Sequence, residues 1–413
     1  MTHRTASVRQ GSARPVPPAP REAGSDGPDE RSHDAEGGSL EPKRALAGTD
    51  GRTGDRCVFL DGLRGWGALA VVLWHCFIEV FPVDSRSARI LALLPPFNGV
   101  IAVDLFFVIS GFSLSIAYVR RRDPAGLARM AASRYPRLAL PILAACALVY
   151  AAMVSGLIPP PELRPAPLNG GLTFVPSIAH LLRFSLFDVF FRFSPGQAYI
   201  IPLWTMPIEL AGSALVFALL AVFGRHQYRD WIHGVLFVGL ALWESPYCLF
   251  VAGMMLAEFY TRDWFRGRAA RVVFVGLFVL GGLGPLLTQN YPPIFLASMV
   301  GMCAAAGWVP FLRGFFETGL SQFLGRISFP LYLLHAPLLY SFSLWAIAML
   351  TPSFGNGGIT YLLVDLVTVP VAVAAAAAFA PVNDAAVALS RRFGAWTVEH
   401  GQAALRRRFV RAG

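Results

Sequence analysis

Charge is scarce in this chain. Of its 413 residues 15% are charged, while 55% are hydrophobic and 13% aromatic, a balance that excludes an ordinary soluble domain. Cysteine is scarce as well. Cys57, Cys76, Cys146, Cys248 and Cys303 are odd in number, scattered mostly through apolar runs and without metal-ligand spacing, which argues against a disulfide framework and against a bound metal. No fixed-period repeat, P-loop or dinucleotide fingerprint occurs, and GGLGP at 281–285 lies inside an apolar run, where it reads as helix packing or a break. One stretch lacks large apolar residues: residues 1–56, rich in Pro, Gly, Ser, Asp, Glu and Arg, cannot build a core and are expected to form a disordered tail. That tail has no apolar signal-peptide segment, and its nine Lys or Arg balance nine Asp or Glu, so the net charge of +10 belongs to the remainder.

The remainder is made of apolar runs long enough to cross about 30 Å of hydrocarbon. They fall near 58–80, 98–119, 138–158, 202–223, 231–245, 246–260, 271–288, 293–312, 326–350 and 359–380, the fifth and sixth short enough to form one re-entrant pair. The expected fold is an all-α polytopic membrane protein of about ten transmembrane helices. Residues 1–56 would be a cytoplasmic tail, 57–390 the transmembrane domain and 391–413 a basic cytoplasmic tail. Arginines set the orientation, because Lys and Arg accumulate in cytoplasmic loops. With both termini in the cytoplasm, the inner loops carry Arg120, Arg121, Arg122, Arg129, Arg134, Arg137, Arg225, Arg229, Arg262, Arg266, Arg268, Arg271, Arg313 and Arg326, and the outer loops carry few. This places the protein as a multi-pass component of the plasma (cell inner) membrane. The longest outer connection, 159–201, contains HLLRFSLFDVFFRF, whose mixed pattern suggests a helix lying on the outer interface, either as a lid or acceptor platform or as a plain anchor.

Ionisable groups inside spans are costly and mark function by default. Arg64 and His75, in LDGLRGWGALAVVLWH, are eleven residues apart, about three turns and roughly 16 Å of rise on one helix face. A guanidinium at the inner mouth suits a phosphate-bearing ligand and an imidazole at depth can accept a proton. An interfacial arginine and a packed histidine would give the same spacing. Asp104 and Glu209, on helices entering from outside, each come to rest about 10 Å deep, so both are expected in the layer of His75, where a carboxylate would hold the imidazole tautomer. His335, in LGRISFPLYLLHAPLLY, falls near mid-membrane on a helix kinked by Pro330 and Pro337 and reads as hydrogen-bonded structure or site. Arg326 sits by the inner surface with Arg64, Arg134 and Arg137. Glu79 and Asp365 receive no role, and Glu258 reads as a surface residue.

These segments resemble the membrane-integral acyltransferases of the acyltransferase-3 family, typified by enzymes that O-acetylate surface polysaccharides. The resemblance rests on the Arg-x10-His pair, DLFFVISGF, LWTMPIE, FVAGMMLAE and LGRISFPLYLLHAPLL, in order over about 57–345. Thr205 stands where serine is commoner, and Phe329-Pro330 where Tyr-Ser is usual. The resemblance implies transfer of an acyl group, most often acetyl, from cytoplasmic acyl-CoA (acetyl-CoA or another) to a hydroxyl of a carbohydrate or glycolipid beyond the membrane, with membrane lipids around it and neither metal nor nucleic acid involved. His75 would be the catalytic histidine, with Asp104, Trp204 and Glu209 lining the site. Arg64, Arg134, Arg137 and Arg326 would hold the coenzyme. Ser110 or the Trp204 indole is a candidate oxyanion donor, and His335 a candidate substrate contact. No hydrolase-like domain follows the last span, so the acceptor is expected to meet the membrane part itself. A secondary transporter or flippase for a glycan or lipid-linked intermediate is the rival from another class. It predicts an internal pseudo-symmetry that the two halves do not display.

Overall fold

The computed structural model describes residues 57–265, 267–282 and 292–412. The expected tail at 1–56 and most of GGLGP lie outside the described residues. Among the described residues every regular element is helical; besides short helices and turns in the connections, the principal ones are α1 (Val58–Trp74), α2 (Gly99–Arg121), α3 (Pro124–Val154), α4 (Met206–Phe223), α5 (Arg229–Leu242), α6 (Tyr247–Thr261), α7 (Arg268–Gly282), α8 (Pro292–Trp308), α9 (Pro310–Phe316), α10 (Gly319–Leu338), α11 (Leu344–Phe354) and α12 (Gly358–Ala412). Within the described residues each expected apolar run falls on helix, 293–312 on two. The protein is therefore an all-α, multi-pass membrane protein. Six described spans are long and apolar enough to cross a bilayer: Val58–Val80, Gly99–Arg121, Pro124–Val154, Ile201–Phe223, Gly319–Phe354 and Gly358–Gly401. A seventh arises if α8 and α9, bent by 86° from each other, count as one broken span. The shortfall from ten has a simple physical cause at α5 and α6. They are separate helices of 14 and 15 residues, which rise only about 21–23 Å, less than the hydrocarbon thickness. The last helix runs unbroken through 390 and 391, where composition alone suggests a boundary.

The six long spans close a ring of contacts. α1 packs against α2 and α10, α2 against α4, α4 against α3, α3 against α12, and α12 against α10. α6 docks on the outside of α2, and α7 on α8. With lipid on one side there is no hydrophobic gain from bringing helices together, so close backbone approach and dispersion must do it. The α1–α10 seam shows how: a Cβ on Gly65 would strike the Gly325 amide, and one on Gly325 would strike the Asp61 carbonyl. The α2–α6 seam uses Gly111 and Gly253 in the same way, each lying against a carbonyl of the other helix.

These contacts fix the register that positions the site. Gly65 lies beside Gly325, and ten residues further along both helices His75 lies beside His335, so α1 and α10 run parallel and in step. Gly67 meets the Phe106 ring and Gly99 meets Trp74, so α2 runs antiparallel to α1. Gly358 abuts the Val83 carbonyl, which starts α12 at the His75 end of the bundle. Two local distortions mark that end. Residues His75–Val80 continue α1 as a wider π-helical turn, and Leu339–Ser343 do the same beyond α10, just after Pro337; such turns recur at functional positions in helices.

Candidate active site

The histidines of α1 and α10 face each other. Their ring centroids are 4.9 Å apart with 48° between the planes. Both rings are oriented the same way: Nδ1 of His75 is 2.8 Å from the Val71 carbonyl, and Nδ1 of His335 is 3.0 Å from that of Leu331. A carbonyl only accepts, so Nδ1 carries the proton in each ring and Nε2 is left as the basic atom. His335 is 1% exposed and its Nε2 has no hydrogen-bond partner, whereas the His75 side chain is 22% exposed. Behind His335 stands Tyr332, with ring centroids 6.1 Å apart. The Tyr332 hydroxyl is 2.7 Å from Thr205 Oγ1 and also donates to the Pro202 carbonyl. It therefore ties the approach to α4 directly to this pair.

The carboxylates expected beside His75 lie elsewhere. Asp104, two residues before Phe106, is level with about Leu69, roughly 9 Å toward the Arg64 end. It shares a face of α2 with Val108 and Gly111, the face turned to α6. Glu209 lies deeper still. It is bonded by Ser110, whose hydroxyl donates to Oε1 at 2.6 Å, and paired with Arg134 through the same oxygen. Register through Ser110 and through Tyr332 places Glu209 between the levels of Leu63 and Ala68, at least roughly 10 Å from His75. Residues 198–203 explain the displacement: this stretch, which enters the 3-10 turn Ile201–Thr205 ahead of α4, is largely buried, so α4 begins well inside the bundle instead of at its surface.

What the structure assembles is two layers. The lower one holds Arg64, Arg134, Arg326, Asp104 and Glu209. Arg64 Nη2 donates to Ser113 Oγ at 3.3 Å, and Asp61 lies 4.0 Å from Nη1. Arg326 is exposed, one residue beyond the Gly325 contact and so level with Arg64 on the neighbouring helix. Arg137 follows Arg134 by three residues on α3, half-buried. Arg134 is committed inside the protein: Nε donates to Ser213 Oγ at 2.8 Å while Nη2 holds Glu209. The Ser110 proton is likewise spent on Glu209, and Trp204 is 47% exposed on the turn before α4.

The upper layer holds His75, His335, Tyr332 and a residue that sequence reading set aside. Glu79 Oε2 lies 3.4 Å from His75 Nε2 and accepts a hydrogen bond from the Trp74 indole at 3.2 Å. The four-residue spacing from His75 was the available signal. Asp365 on α12 is also close to this level, since Tyr361 packs on Phe81; it is fully buried and neither carboxylate oxygen has a partner. Glu258 is not a surface residue. It is 2% exposed and binds Arg122, Arg229 and Arg262 at 3.0–3.2 Å, which fastens α2, α5 and α6 at the Arg64 end. The five cysteines are free and buried.

The family model described as an acyltransferase domain matches residues 58–380. The chain belongs to the acyltransferase-3 family. The match covers every element of both layers. An O-acetyltransferase from Phomopsis amygdali, PaAT-1, is 27% identical over 365 residues, covering 68% of this chain and 72% of that protein. No solved structure matches the chain. As an acyltransferase-3 member with six or more membrane-length helices, the protein is a membrane acyltransferase.

Proposed function

We propose that the protein takes an acyl group, acetyl by preference, from acyl-CoA at the Arg64 end and delivers it at the His75 end to a hydroxyl of a carbohydrate or glycolipid. In this reading the Arg64 end faces the cytoplasm, both termini lie there, and the membrane is the plasma membrane. The observation that carries the proposal is the facing pair His75 and His335, each with Nδ1 bonded to a backbone carbonyl, at the opposite end of α1 and α10 from Arg64 and Arg326. Support for O-acylation comes from the relative's own activity.

Arg64 and Arg326 offer guanidinium forks to phosphates, with Arg137 nearby. Arg134 and Glu209 act as the frame of that layer, because their mutual pairing leaves neither free for a ligand. A thioester on an extended arm covers the roughly 16 Å from Arg64 to His75. There His75 Nε2 takes the proton of the acceptor hydroxyl as its oxygen attacks the thioester carbon. The C–S bond then breaks, and the proton passes to the departing sulfur. Tyr332 and Thr205 hold α4 against the pair and keep its geometry.

Incubation of purified protein with radiolabelled acetyl-CoA and a surface-glycan extract should give a labelled glycan and free coenzyme thiol. His75→Ala should lower that turnover by at least about a hundredfold while leaving the thermal transition in detergent unchanged. Turnover near the parent level in His75→Ala would remove the histidine from the chemistry. Absence of product in the parent with every hydroxyl acceptor tried would overturn the acyl-CoA reading.

A further inference from the structure

His75 has an acidic neighbour on its own helix, and its geometry differs from that of a packing contact. Nδ1 donates to the Val71 carbonyl, and the other ring nitrogen, Nε2, lies 3.4 Å from Glu79 Oε2 without the alignment of a hydrogen bond. Beside a neutral imidazole the carboxylate gains little. Once Nε2 has taken a proton, the same distance sets a cation beside an anion. Such an interaction is absent in the ground state and present after proton transfer, the property that separates catalytic stabilisation from simple binding. The Trp74 indole donates to the same oxygen at 3.2 Å and keeps it in place. The other groups around it fit this arrangement. Tyr340, on the π-helical turn after α10, interacts electrostatically with Glu79 and carries the Arg164 guanidinium over its ring at 5.5 Å. Arg164 is itself spent on the carbonyls of Pro159, Gly171 and Leu172, so it holds the outer loop instead of neutralising Glu79.

We infer that Glu79 is the charge partner of His75: a positioning residue that stabilises the imidazolium formed when the acceptor hydroxyl loses its proton. The inference rests on the acyl-transfer reading given above. The balance is closed. The hydroxyl proton moves to His75 Nε2, the new C–O bond forms as C–S breaks, and the proton leaves on the coenzyme sulfur, with Glu79 ionised throughout. The side chain of Glu79 is 56% exposed, which has two consequences: replacing it should not unfold the protein, and a small anion can reach its place.

The test uses the full-length protein with acetyl-CoA and the acceptor extract. Glu79→Gln keeps an oxygen for the Trp74 indole but removes the charge. It should lower kcat about a hundredfold with the KM for acetyl-CoA unchanged. Glu79→Ala should lose activity similarly and regain a measurable part of it in added formate, which a purely structural role would not give. Parent-like kcat in Glu79→Gln, or loss without formate rescue in Glu79→Ala, overturns the proposal. Failure here is distinguishable from failure of the functional reading, since His75→Ala remains inactive in the first case and active in the second.

Discussion

Arg134 and Glu209 show how a charge can be kept inside the membrane part of this protein. Each side chain is 12% exposed; besides the ion pair, Ser110 donates to Glu209 Oε1 and Arg134 Nε donates to Ser213. Breaking such a pair leaves the second charge stranded, which costs about 3–5 kcal/mol, whereas replacing both by apolar groups of similar volume is often neutral. Arg134→Ala should therefore lower the unfolding temperature in detergent steeply, and Arg134→Met combined with Glu209→Leu should recover most of the loss; equal melting of the single and double variants would count against the pair. That Arg64, His75, Glu209 and His335 lie within helices of the bundle was legible from their positions in apolar runs. Their depth was not. Counting from helix ends sets Asp104 and Glu209 level with His75, while the real levels depend on glycine contacts between helices and on the buried 3-10 turn before α4. Glu79 receives no role from sequence because it stands near the end of its span, in what proves to be a π-helical turn after α1.

At the scale of single helices, the seam between α1 and α10 sets the separation of the two histidines. Gly65 and Gly325 bring the backbones together at the lower layer, and His75 and His335 meet ten residues above. A side chain at either glycine has backbone, not a flexible chain end, in its way. Gly65→Val should force the helices apart at a cost of about 1–3 kcal/mol or more and reduce turnover beyond the stability loss, because the imidazoles above it would separate. Normal turnover in a folded Gly65→Val protein would show that the seam does not govern the pair. The long apolar elements and the division between α5 and α6 were readable from hydropathy; that α5 and α6 are too short to span was not, because apolar runs of this length are common to short packed helices and to spans.

For the whole molecule, the ring has consistent polarity. α1 starts at the Arg64 end, α12 starts at the His75 end, and Gly394 of α12 packs on Arg129 and Ser133 near the start of α3, so the first and last described helices come back to one end of the bundle. Reporters fused at the two termini should give the same sidedness in intact cells, both cytoplasmic; opposite sidedness would contradict the proposed orientation. The expected orientation rests on the arginine distribution, since the positive-inside rule needs only loop composition and no register.

Between Arg64 and Trp74 the first helix has no break, bulge or proline, so the span from guanidinium to imidazole behaves as a fixed ruler. A coenzyme arm has one length whatever cargo it carries; anchored at the lower layer, it would present every thioester carbonyl at the same height. Selection between short and long acyl chains could then occur only above that height, among the residues of the π-helical turns and the outer loop, and variants near Arg64 would change how tightly donors bind without changing which donor is preferred.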